Sequence, residues 1–135
     1  MIRYMLDTSI CVELIRGRAP AVLDRLQQFE IDEIAISIIT LAELEYGAAK
    51  SNHPQRHESL LAQFCAPLAI VPFAELAAET YGKVRTTLER AGLPIGPLDT
   101  LIASHALSLG ATLVSSNERE FRRVTDLQVE NWLAI

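Results

Sequence analysis

Five short apolar runs, at 2–6, 33–38, 68–72, 112–115 and 127–130, punctuate the chain, and the stretches between the first four carry apolar residues at helical spacing. Strands separated by helices cannot be joined by tight hairpins. They must run parallel, with the crossover helices packed on both sides. The pattern therefore predicts an α/β fold: a parallel central sheet of four to five short strands flanked by helices on both faces.

Helix boundaries follow from local chemistry. Asp7-Thr8-Ser9 supplies cap residues for a helix over about 9–16 that stops at Gly17, and Pro20 starts a second helix with Val22, Leu23, Leu26 and Phe29 on its apolar side. Thr40 opens a third helix that runs to about Gly47, and Pro54 begins a fourth bearing Leu60, Leu61 and Phe64, so that the two form a hairpin. A longer helix spans 74–91 and ends at Gly92. The rigid loop Leu93-Pro94-Ile95-Gly96-Pro97 then leads into a helix over 98–109 that is apolar almost all round and should be buried.

A chain of 135 residues fits one domain, 1–135, since two halves would each bury too little apolar surface. No apolar stretch is long enough to cross a bilayer, and the opening MIRYMLDTSI lacks the pattern of a signal peptide, so a soluble, cytoplasmic protein is expected. Cys11 and Cys65 form neither a disulfide framework nor a zinc motif and are expected as buried free thiols. The net charge of −5 opposes nucleic-acid binding on a global scale. Basic residues nevertheless gather locally at Arg16/Arg18, Lys83/Arg85/Arg90 and Arg119/Arg122/Arg123. Each group is either a phosphate-binding patch or a solvated face.

In an open parallel sheet, sites lie beyond the carboxyl ends of the strands. Asp7 follows the first strand, Glu43 sits a turn into the helix after the second, Asp99 begins the buried helix, and Asn117 follows the strand at 112–115. Each acid also has a structural explanation. Asp7 is a favoured cap residue, Thr40-Leu41-Ala42-Glu43 has capping-box spacing, and Asp99 suits a helix N-terminus. Their joint placement points further, because clustered carboxylates repel and resist ionisation unless a cation lies between them. His105 lacks partners in its sequence neighbourhood and reads as structural.

The stretches MLDTSICVELI, SIITLAELEYGA, GLPIGPLDTLIASHA and LVSSNEREF resemble, in order and spacing, the four sequence blocks of PIN domains, specifically of VapC-type toxins. The resemblance implies a metal-dependent endoribonuclease in which Asp7, Glu43 and Asp99 gather around one or two Mg2+ or Mn2+ ions. The fourth, often acidic, position falls on Asn117, with Glu120 about one turn on, so the fourth ligand would be indirect or displaced. Thr8 and Ser115 would orient ligands or water, or serve only as helix-start and strand-end hydrogen-bonding groups. Hydrolysis by a metal-activated water would leave a 5′-phosphate and a 3′-hydroxyl.

By the same resemblance, the partners would be a VapB-like antitoxin, a second copy of the chain docked through the helical hairpin, and RNA. A tRNA is the expected substrate, the anticodon stem-loop of initiator tRNA a candidate. Aromatics for base stacking are few, with Tyr46, Tyr81 and Trp132 available, so Arg16, Arg18, Arg119, Arg122 and Arg123 are candidate phosphate contacts. A different class stays open: a catalytically weak PIN module acting by binding RNA or its antitoxin.

Overall fold

The computed structural model describes residues 1–133. Five parallel strands form one sheet in the order β3-β2-β1-β4-β5. The strands are β1 (Tyr4–Leu6), β2 (Ile34–Ser37), β3 (Ala69–Val71), β4 (Thr112–Val114) and β5 (Val129–Glu130). Seven helices are described: α1 (Thr8–Ile15), α2 (Pro20–Leu26), α3 (Ile38–Lys50), α4 (Pro54–Cys65), α5 (Glu75–Arg90), α6 (Pro97–Ser108) and α7 (Glu118–Phe121). The parallel sheet expected from the alternating pattern is the one observed. The chain builds outward from β1 to β2 and β3, then crosses to β4 on the other side of β1. The strand order thus reverses between β1 and β4, which opens a crevice at their carboxyl ends.

Side-chain alternation divides the core in two. Tyr4 and Leu6 of β1, Ile34 and Ile36 of β2 and Val114 of β4 pack with Ile10, Val22, Leu44 and Leu61 from α1 to α4. Met5 and Leu113 point to the opposite face, against Val84 and Leu88 of α5 and Ile102, Ala103 and Ala106 of α6. Both faces are covered. The central strands β1 and β2 are therefore buried along their whole length and apolar but for Ser37 at the end of β2 and the hydroxyl of Tyr4, as a sheet covered on both sides demands.

Three features differ from expectation: the bounds of the third helix, the place of Trp132 and the exposure of Cys65. The third helix begins at Ile38, capped by Ser37, whose Oγ accepts a hydrogen bond from the Ile39 N–H at 3.0 Å, and it continues past Gly47 to Lys50. β-Branched Ile38 reads as the end of a strand, but a buried bond decides otherwise: Ser37 Oγ lies 2.7 Å from His105 Nδ1. That fixes the end of β2 against α6. Trp132 is buried with its ring centroid 5.0 Å from Tyr4 and 5.8 Å from Phe29, so it belongs to the core and offers no stacking platform. Cys11 is buried as expected, whereas Cys65 is only half-buried; both are free thiols. No helix among the described residues is long and apolar enough to cross a membrane.

Candidate active site

Asp7 stands where β1 ends, in extended backbone, and its N–H still belongs to the sheet, donating to the Val114 carbonyl at 3.0 Å. Its side chain caps α1: Oδ1 accepts from the Ile10 N–H at 3.0 Å and from Ser9 Oγ at 2.7 Å. Oδ2 accepts from Ser115 Oγ, just beyond β4, at 2.5 Å. Capping and site roles therefore coincide in one residue. Burial raises the Asp7 pKa; the bonds from Ser115, Ser9 and Ile10 oppose that rise, and the charge of Glu43 adds to it.

Glu43 does not close a capping box. The cap of its helix is Ser37, which places Thr40 a turn inside α3, fully buried. Glu43 is instead held from another helix, its Oε1 accepting from Thr8 Oγ1 at 2.7 Å, while Thr8 Oγ1 also lies 3.3 Å from Thr40 Oγ1. Asp99 is the third residue of α6, behind Pro97, and the helix has no side-chain cap. The helix N-terminus should favour its carboxylate. Burial wins: the Asp99 pKa is raised to about 6, by desolvation first and then by the charges of Glu43, Asp7 and Glu120.

The structure thus brings Asp7, Glu43 and Asp99 into one electrostatic neighbourhood, and Glu120 of α7 joins them. Asn117 is the N-cap residue of α7 without a side-chain cap bond, and its N–H donates to Ser115 Oγ at 2.8 Å. The third charge reaching Asp99, after those of Glu43 and Asp7, comes from Glu120. Ser9 and Ser116 were not singled out from sequence, yet Ser116 Oγ lies 3.0 Å from Ser9 Oγ and extends the hydroxyl chain around Asp7. A hydroxyl two residues after a capping acid was the available signal.

Among the described residues no three of His, Cys, Asp and Glu stand close enough to form a ready cage for a metal ion. The donors still suit a hard cation. All are carboxylates, and no cationic side chain is among the groups acting on Asp7 or Asp99, so their mutual repulsion has no internal counter-charge. Mg2+ in particular keeps several waters and is commonly bound through one or two carboxylates, without a full protein cage.

The basic candidates fall apart into separate situations. Arg18 pairs with Glu13 at 2.8 Å, Arg122 pairs with Glu118 at 2.7 Å, and Arg123 Nη1 donates to the Pro94 carbonyl at 3.0 Å. Arg119 is exposed on α7. Arg16 alone of the five lines a groove that also includes Glu43 and Thr8. On α5, Arg85 is engaged by Glu89 at 3.1 Å and Tyr81 at 2.8 Å. His105 is buried as a neutral group, its pKa lowered by desolvation, between Ser37 and the edge of the Phe73 ring.

Comparison with known proteins agrees with this arrangement. Residues 4–127 match the PIN domain family. Over 130 residues, 96% of this chain and 97% of the relative, the sequence is 45% identical to ribonuclease VapC2 of Rickettsia felis. Over 132 residues, 98% of this chain and 99% of the relative, it is 39% identical to the tRNA(fMet)-specific endonuclease VapC of Shigella flexneri. Its fold is similar to that of a chain in the crystal structure of DNA-bound VapBC from Salmonella typhimurium, with a TM-score of 0.93 at 37% identity over 98% of this chain and 99% of that one. With the family match and the identities both running nearly end to end, the chain belongs to the PIN-domain family, among the VapC ribonucleases.

Proposed function

We propose that this ribonuclease is the toxin of a VapBC-type pair and cuts tRNA at a divalent-cation centre formed by Asp7, Asp99 and Glu43, with Glu120 or Asn117 completing it. The observation that carries the reading is the uncompensated carboxylate cluster at the switch between β1 and β4, where Asp99 is pushed up to about 6 by burial and by three other acids. Mg2+ or Mn2+ bound there would neutralise phosphate charge and lower the pKa of a water.

The chain's own groups divide the remaining work. Ser9, Ser115 and the Ile10 N–H hold Asp7 in one orientation. Thr8 occupies Glu43 Oε1, which leaves Oε2 to take a proton from the attacking water. That water's oxygen bonds to phosphorus as the bond to the 3′-oxygen breaks, and the departing 3′-oxygen takes a proton from solvent, so the products carry a 5′-phosphate and a 3′-hydroxyl. The substrate class rests on the relative from Shigella flexneri, whose name specifies tRNA(fMet). The antitoxin partner rests on the VapBC complex from Salmonella typhimurium. Self-association is assigned to the α3/α4 hairpin, where Tyr46 is 66% exposed; a monomeric mass in light scattering would contradict it.

Sequencing of RNA 5′ ends after brief expression in cells, compared with the Asp7→Asn variant, tests the substrate. A dominant new end in a tRNA anticodon loop is expected. Ends scattered over messenger RNA would overturn the tRNA assignment, and no new ends at all would favour a binding module over an enzyme.

A further inference from the structure

The groove beside Glu43, formed by residues of α1, α3 and α4 and by the turn between the last two, has a volume of about 890 Å³. Here the chain's charge inverts. The whole sequence carries −5, yet the charged lining of this groove is three cations, Arg16, Lys50 and Arg56, against the single carboxylate of Glu43. All three cations are exposed, and none forms an ion pair among the described residues, in contrast to Arg18 and Arg122. Lys50 lies with its Nζ 4.8 Å from the centroid of the Tyr46 ring. The same lining includes aliphatic side chains, among them Val12, Ile15, Leu44 and Leu60.

A strand cut beside Glu43 must continue past it, and this groove is where such a continuation would meet positive charge. Cations that neutralise phosphates supply most of the affinity for nucleic acid. We infer that the groove is the bed of the RNA strand on one side of the scissile bond, with Arg16, Lys50 and Arg56 as phosphate contacts. This rests on the ribonuclease reading above and adds Lys50 and Arg56, which sequence reasoning did not select. They escaped notice because Lys50 and Arg56 are separated by the α3/α4 turn and meet Arg16 of α1 only in the folded chain.

The test uses the full chain carrying Asp7→Asn, so that RNA is bound without being cut, and a labelled synthetic anticodon stem-loop of initiator tRNA titrated over a range of salt. Arg16→Gln, Lys50→Gln and Arg56→Gln should each weaken binding by roughly 3- to 10-fold and reduce the slope of log affinity against log salt by about one. In the active chain the same changes should raise KM and leave kcat within about twofold, and Arg56→Lys should restore the slope. Lys83→Gln, on α5 and outside the groove, should change neither quantity. Unchanged slopes in all three variants would overturn the inference. So would intact RNA binding with weakened binding of the antitoxin, which would give the groove to a peptide. Failure of the ribonuclease reading would show separately, as RNA left uncut by the unmodified chain with Mg2+, because the binding slopes are measured on uncut RNA.

Discussion

Thr8, and not the backbone of α3, holds Glu43, and this separates catalysis from stability at that residue. Glu43→Gln should reduce cleavage by about 100-fold or more, as loss of a general base does, while changing unfolding free energy by less than ~1 kcal/mol. Denaturant unfolding beside a cleavage assay checks both halves, and a stable loss of cap energy with full activity would return Glu43 to a structural role. Thr8→Val keeps the side-chain volume and removes the hydroxyl that orients Glu43; as an outer-shell change it should lower activity by roughly 10- to 100-fold. Asp99 carries a sign that can be measured. Its folded pKa of about 6 lies above the ordinary 3.8, so the folded chain binds more protons between those values and loses stability as pH rises through that window. Without divalent ions, Asp99→Asn should therefore be more stable than the unmodified chain at pH 7, by about 1 kcal/mol after allowing for solvent screening, and the gap should close towards pH 4. A variant equally stable across that range would contradict the rise of the Asp99 pKa by burial and by the neighbouring acids.

Among the elements, α3 depends on a single side chain at its start. Ser37 caps it through the Ile39 N–H and at the same time bonds the buried His105 of α6. Ser37→Ala removes a cap, worth about 1 kcal/mol, and leaves a buried imidazole nitrogen without its partner, costing about 1–3 kcal/mol more. A loss of roughly 2–4 kcal/mol is expected in equilibrium unfolding, and a value near zero would mean that the β2–α6 junction is held otherwise. The same element shows where sequence reading runs out. Thr40 to Glu43 has the spacing of a capping box, and nothing local distinguishes that possibility from a start at Ile38. The deciding contact comes from His105, far along the chain, which looked partnerless in its own neighbourhood. The other helix ends were legible because their signals are local: Gly17, Gly92 and Gly110 all adopt positive φ just past helix ends, and Pro20, Pro54 and Pro97 open theirs.

On the scale of the whole molecule, the alternation of short apolar runs with helices is enough to imply a parallel sheet covered on both faces. It does not specify which strands are neighbours. The order β3-β2-β1-β4-β5 is set by pairings such as Tyr4 with both Ile34 and Thr112, and that order places Asp7, just past β1, beside Ser115, just past β4. The acids could be nominated from their positions at strand and helix ends, but their shared electrostatics, including the part taken by Glu120, requires the fold. Charge is also uneven at this scale, since a chain of net −5 keeps a cation-rimmed groove next to its carboxylates. The central claim is that those carboxylates form a divalent-dependent centre for RNA hydrolysis. Its most direct test is cleavage of purified tRNA by the unmodified chain and by Asp99→Asn, with Mg2+ and after chelation by EDTA, followed by analysis of the product ends. The account predicts 5′-phosphate and 3′-hydroxyl ends formed only by the unmodified chain and only with the metal present. Cleavage that survives EDTA, or ends bearing a 2′,3′-cyclic phosphate, would contradict it.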